Sequence, residues 1–127
     1  MNPKVRVLVA FMKSNLRREL TLDDLGEVVG LSHSRLHTLF KAELGIAPLQ
    51  YHRSLKLEEA RVLLERTFWK VERIRIEVGY SDHSHFFRDF KAQFDVTPAQ
   101  YRARHIDATL STKRVSDEKI EKSATKK

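Results

Sequence analysis

The chain has no cysteine, which removes disulfide bridges, thiolate metal sites and cysteine nucleophiles together and fits a reducing compartment. No apolar run approaches the roughly 18 residues that a membrane-spanning helix needs, and the N-terminus lacks the basic, apolar and small-residue succession of a secretory signal. The expectation is a soluble, cytoplasmic protein with no membrane partner.

What is present is a modest core and a basic surface. With 127 residues, 41% of them hydrophobic, the chain can form one small domain or two very small ones. Twenty-four Lys and Arg against seventeen Asp and Glu give a formal charge of +7 and a pI near 9.9, a balance suited to a partner that carries phosphates. The excess is not a tail effect: residues 1–106 hold eighteen basic and thirteen acidic side chains, and the last 21 residues hold six and four. That last segment has few apolar residues and no helical stripe, so it cannot offset its ordering entropy and is expected to be disordered.

A repeat organises the chain. Phe40-Lys41-Ala42 and Pro48-Leu49-Gln50-Tyr51 recur 50 residues later as Phe90-Lys91-Ala92 and Pro98-Ala99-Gln100-Tyr101, while upstream Val29-Gly30-Leu31-Ser32 answers Val78-Gly79-Tyr80-Ser81 at an offset of 49. The second copy thus has one extra residue in between. In the first copy Leu22, Leu25 and Val28 or Val29 fall at helical spacing, Gly30 breaks the pattern, and Ser32 opens a second helix carrying Leu36, Leu39, Phe40 and Leu44. Gly30 suits a turn with positive φ, and the Ser32 hydroxyl suits a helix N-cap. The second copy repeats both devices in Gly79 and Ser81, with Val71, Ile74 and Val78 on one helix and Phe86, Phe90 and Phe94 on the next.

A long periodic segment from Pro48 to near Arg66 or Thr67 connects the copies. At about 1.5 Å per residue it spans on the order of 28 Å, close to the roughly 34 Å between successive major grooves on one side of B-DNA. Val5, Leu8, Val9, Met12 and Leu16 predict an amphipathic helix over the first copy, and Pro98 to Arg104 a short helix over the second. The fold class is therefore all-α, with about seven helices: a first helix-turn-helix subdomain over 1–46, a connecting helix over 47–67, a second subdomain over 68–106 and a basic tail over 107–127.

Rotation by about 100° per residue turns Leu36, Leu39, Phe40 and Leu44 inward and leaves His33, Ser34, His37, Thr38 and Lys41 outside. Short hydrogen-bonding side chains suit base edges, and His37 and Thr38 are the preferred readers. On the second helix Ser84, Arg88 and Lys91 share the outer face with His83 at its edge. The Arg88 guanidinium can pair bidentately with guanine, at roughly 1–3 kcal/mol of discrimination. Arg35, Lys41, Lys91 and the N–H groups after Ser32 and Ser81 suit phosphates. Phe87 lies between both faces and is assigned first to the core stripe, with a thymine methyl as its other use. Arg53, Lys56, Arg61 and Arg66, interleaved with Glu58, Glu59 and Glu65, read as solvated helix surface.

The residues Leu20-Thr21-Leu22, Gly30-Leu31-Ser32, Leu36 to Lys41, Gly45 to Pro48 and Tyr51, and above all Val78 to Lys91 followed by Val96 to Arg102, resemble the DNA-binding domain of the AraC/XylS family of bacterial transcription regulators over residues 3 to 105. The resemblance implies two tri-helical subdomains whose helices at Ser32 and Ser81 enter the major groove on one side of the duplex. It places His33, Ser34, His37 and Thr38 on the first recognition helix and His83, Ser84, Phe87 and Arg88 on the second. The expected partner is double-stranded DNA, bound by a monomer across two adjacent major-groove segments, and the resemblance implies promoter activation through RNA polymerase. Three positions depart from the family pattern: Arg75 where a small Ala is usual, Asp95 where Gly is usual, and Phe87 where a small polar residue is common. Met1 favours a stand-alone regulator over a piece of a longer ligand-responsive one.

Other chemistries fit less well. His33 and His37 have the spacing of helical metal ligands but lack a third ligand and its support, so no metal or other cofactor is expected. Asp82-His83-Ser84-His85 holds the residue types of a hydrolase triad, but consecutive helical residues point apart, and the chain reads as a non-enzyme. The family's fusion with DNA alkyl-transfer repair would need an acceptor cysteine. The competing reading from another class is a basic helical adaptor that binds acidic proteins without specific DNA readout.

Overall fold

Local signals start each helix. Asn2 accepts a hydrogen bond from the Lys4 N–H and Pro3 occupies the first helical position, where it has no donor to lose, so α1 runs Pro3–Ser14. Thr21 and Asp24 exchange side-chain to backbone bonds of 3.1 and 2.9 Å, a reciprocal cap for α2, Leu22–Val29. Ser32 caps α3, His33–Leu44, by accepting from the Arg35 N–H. Pro48 opens α4, Pro48–Arg66, and α5 spans Val71–Glu77. The next helix, α6, covers His83–Phe94, and α7 begins at residue 98 behind the Thr97 and Gln100 reciprocal cap. The structure, a computed structural model, describes residues 1–105; the tail expected to be disordered lies outside the described residues. Among those described there are seven helices and no strand.

Two expectations about boundaries are corrected. Leu16 falls beyond the end of α1, in the turn that follows it. The cap of α6 is Asp82, which accepts from the His85 N–H at 2.8 Å, and not Ser81. The extra residue of the second copy lies in this turn, so the offset of 50 applies from the cap onward and Asp82 is the counterpart of Ser32.

Each copy builds its own core, and α4 serves both. Val5, Leu8 and Met12 of α1 pack with Leu20, Leu25, Leu36 and Phe40, and the first half of α4 adds Leu49, Tyr51 and Leu55. The second half contributes Leu57, Ala60 and Leu64 to a cluster with Ile74, Val78, Tyr80, Phe86 and Phe90. Phe86, Phe90 and Phe94 stack in sequence along α6, with centroids 6.0 and 4.6 Å apart. Each fully buried Phe contributes roughly 1.5–3 kcal/mol by leaving water.

The connector departs from its expected solvated surface at two places. Lys56 is 3% exposed, and its ammonium donates to the carbonyls of Arg18, after α1, and Gly79, after α5, both at 2.8 Å. The stem lies on the face of α4 that points between the two units, where burial is unavoidable, and the two carbonyls replace its hydration. Burial, helped by the nearby Arg53 charge, holds the Lys56 ammonium below its ordinary pKa although Glu19 opposes this. Arg61 is half-buried and bonds Glu58, Glu65 and the Tyr101 hydroxyl. His52 is also buried, with Nε2 at 3.3 Å from the Asn15 carbonyl.

Gly79 lets the two units touch. Its φ is +83°, and a Cβ there would stand 2.2 Å from the Arg17 carbonyl oxygen and 2.9 Å from Lys56 Nζ. Beside it Arg17 pairs with Glu77 at 3.1 Å, an exposed contact that adds little stability. Arg75, which stands where the family usually has a small Ala, is accommodated on α5. Its counterpart is Gly26, where a Cβ would come within 2.6 Å of the Leu31 carbonyl. In the second copy the corresponding carbonyl, that of Tyr80, lies at the same five-residue separation and accepts from Arg75 Nη1 at 2.5 Å, so the side chain bonds the group that excludes one at Gly26.

Asp95 ends α6 at φ 69°, the left-handed position that Gly45 takes at the end of α3 with φ 77°. A side chain in this region costs roughly 1–2 kcal/mol, less for Asp than for most residues. Asp95→Gly is therefore expected to stabilise the protein by about 1 kcal/mol, seen as a higher denaturant midpoint at unchanged slope. An unchanged or lower midpoint would show that the Asp95 side chain offsets its backbone strain.

Candidate nucleic-acid interface

The first outer face rests on α3, whose inner side anchors Leu36 and Phe40 in the core. Because those residues are fixed inward, His33, Ser34, Arg35, His37, Thr38 and Lys41 are all exposed. The second face repeats this on α6: Phe86 and Phe90 are buried, and His83, Ser84, Arg88 and Lys91 are exposed. From the caps onward the faces correspond residue by residue, with Phe87 and Arg88 where the first helix has His37 and Thr38. Phe87 is half-buried against the second core and stacks on the His83 ring at 4.3 Å, in keeping with its assignment to the core stripe. Arg88 extends into solvent, with Nε 3.7 Å from Asp89.

Sequence reasoning missed the acids that orient the first residue of each outer helix. His33 Nε2 donates to Asp23 on α2 at 2.6 Å, and His83 Nδ1 donates to Glu72 on α5 at 3.1 Å. Asp23 and Glu72 stand 49 residues apart and the two histidines 50 apart, so the repeat itself carried the signal. These pairs are exposed and add orientation more than stability. In the second unit Glu72 also accepts from Arg75 Nε and Nη2, at 2.9 and 2.5 Å. Tyr80, Arg75, Glu72, His83 and Phe87 thus form one connected series from the turn to the outer face.

A cleft of about 470 Å³ adjoins the second face, lined by Arg88 and His85 of α6, Arg53 and Lys56 of α4, Glu19 and Gly79. Tyr80 lines it too, donating its hydroxyl to Asp89 at 2.9 Å; burial first, and then that carboxylate, push the phenol well above its ordinary pKa. Among the described residues no group of three or more His, Asp or Glu is placed to hold a metal ion, and no helix is long and apolar enough to cross a membrane.

Hydrogen bonds from Arg75 and then His83 hold the Glu72 carboxyl down to about 2, from an ordinary 4.5. A depressed carboxyl contributes stability that is present in full above its unfolded value and lost as pH falls through the folded one. The stability difference between the protein and Glu72→Gln is therefore expected to be constant above the ordinary value and to shrink as pH falls from 4.5 to about 2. Thermal melts at stepped pH read this directly, and a difference undiminished at the acid end contradicts it.

The arrangement is one that known proteins share. A family model described as a helix-turn-helix domain matches residues 25–104. The lactose operon transcription activator of Staphylococcus xylosus is 30% identical over 101 residues, which cover 80% of this chain and 36% of that protein. The chain spans about a third of the length of the relatives it matches. The crystal structure of an AraC-type DNA-binding-domain regulator from Chromobacterium violaceum is 35% identical, with a TM-score of 0.75, and the match covers 81% of this chain and 92% of that one. The DNA-binding domain of AdpA, solved in complex with a target DNA, shares the fold at a TM-score of 0.76 and 23% identity, over 82% of this chain and 94% of that one. The two capped outer helices, the shared connecting helix and these matches lead to one conclusion: the chain belongs to the AraC/XylS family of transcription regulators, a family of regulators and not of enzymes, and its described residues form that family's DNA-binding domain.

Proposed function

We propose that this chain binds double-stranded DNA sequence-specifically as a monomer, with α3 and α6 in adjacent major-groove segments, and that it activates transcription through contact with RNA polymerase. The observation that carries the reading is the pair of equivalent outer faces, each polar and exposed, mounted on one 19-residue helix. A single polar helix face is ordinary solvated surface. Two at matching repeat positions, separated by a spacer of roughly 28 Å, suit grooves about 34 Å apart. The DNA complex of the AdpA domain supports the DNA partner, and the activator name of the Staphylococcus xylosus relative supports the sign of regulation.

In this reading His37, Thr38 and Ser34 on α3, with Ser84 and Arg88 on α6, meet base edges. His33 and His83, held by Asp23 and Glu72, direct one ring nitrogen outward. Arg35, Lys41 and Lys91 meet phosphates, which set register without reading sequence. Phe87 supports His83 from the core side and has no base of its own.

Selection of bound duplexes from a random library is expected to return two short blocks about one helical turn apart. Arg88→Ala should weaken binding to the selected site by roughly 1–3 kcal/mol and relax one base position. Lys91→Ala should weaken all duplexes about equally and lower the salt slope by about 1. A single uninterrupted block would count against simultaneous docking. Equal, weak affinity for every duplex would favour an acidic protein as the partner.

A further inference from the structure

We propose that Lys56 is the positioning residue that makes the spacing between the two DNA blocks part of the recognised signal, by bonding the Arg18 carbonyl in the first unit and the Gly79 carbonyl in the second and so holding α3 and α6 in one relative position. The inference rests on the reading that both helices dock together. It assigns to a buried side chain that belongs to neither outer face the choice of how many base pairs separate the blocks.

Among the described residues, three contacts join the turn after α1 to the end of α5, besides the continuity of α4. The Arg17–Glu77 pair is exposed, with side chains 56% and 33% accessible, and solvent screens it. The Arg17 carbonyl rests on Gly79, a close contact without directionality. The Lys56 bridge differs from both, because its side chain is only 3% exposed and its two bonds of 2.8 Å end on backbone atoms of different units. Hydrogen bonds from a charged donor are the stronger class and weaken steeply as geometry degrades. Rotating one unit against the other therefore strips at least one carbonyl from a buried ammonium, and an uncompensated buried charge is costly. His52 meets the Asn15 carbonyl from the same face of α4 one turn earlier and ties the connector to the first unit alone.

The geometry of DNA turns this stiffness into selectivity. One added base pair moves the second block about 3.4 Å along the axis and turns it by roughly 35°. A pair of readers held as one body cannot follow both displacements, whereas a pair joined only by a flexing contact can. The polar bridge also carries positional information that an apolar contact lacks: a methionine stem would fill the same space while leaving the units free to slide.

The test uses the full chain and synthetic duplexes that carry the two selected blocks at the selected spacing, or with one or two base pairs inserted or removed. Wild type is expected to favour its own spacing by about tenfold or more, within the roughly 5- to 150-fold range of coupling between sites. Lys56→Met should keep its base preferences within each block while the spacing ratio falls close to one, and Lys56→Arg, which retains donors for both carbonyls, should restore the ratio. Where Lys56→Met does not fold, Lys56→Gln, with one donor group, carries the same expectation. Arg17→Ala should leave the ratio unchanged. A Lys56→Met protein that melts earlier and binds every spacing more weakly by a common factor, with the wild-type ratio intact, overturns the proposal and leaves two-helix docking standing. A wild type indifferent to spacing removes both.

Discussion

Two backbone carbonyls, one in the turn after α1 and one in the turn after α5, meet a single ammonium in the space between the units. Together with the continuity of α4, that meeting joins the unit that carries α3 to the unit that carries α6. The cores of the two units are separate and share only α4, whose first half packs on one and whose second half packs on the other. Orientation needs a directional interaction that both share, and a buried charge supplies one because its bonds cannot be exchanged for water. The cost shows in the lowered pKa of Lys56, with burial as the leading cause. Gly79 completes the constraint by bringing the turn close enough for its carbonyl to be reached.

The duplicated plan has been edited unevenly. Inner positions keep their character: Leu36 and Phe40 answer Phe86 and Phe90, and all four are buried. Turn positions have diverged in coupled pairs. Gly26 lies under the Leu31 carbonyl, whereas Arg75, at the same five-residue separation, donates to the Tyr80 carbonyl. That same guanidinium steadies Glu72, which orients His83, so a change in a supporting helix extends its effect to the outer face. In the first unit the matching series is shorter, since Asp23 meets His33 with no arginine behind it.

Much of this was legible in the sequence because helical periodicity and capping are local. The spacing of Leu36, Phe40 and Leu44 identified the inner stripe of α3, and Pro48 identified the start of the connector, since both signals act within a few residues. The fate of Lys56 was not legible. A lysine among glutamates on a long helix carries no mark of burial; only the docking of two distant turns against that face removes it from water. Asp82 was hidden differently, because a serine stood where the repeat predicted a cap and the extra residue moved the register by one. The acids behind His33 and His83 could have been found by extending the repeat comparison to exposed positions, where similarity is usually discounted.

The tandem arrangement of unlike readers has a consequence for direction. The first outer face offers His37 and Thr38 where the second offers Phe87 and Arg88, so no rotation exchanges the two. A duplex docked on both has a distinguishable left and right, and its sequence has no reason to be palindromic. Reversing such a site would carry the molecule round with it and present the opposite flank to whatever neighbour is bound alongside. In that docking the direction is carried by the two unlike faces of one polypeptide.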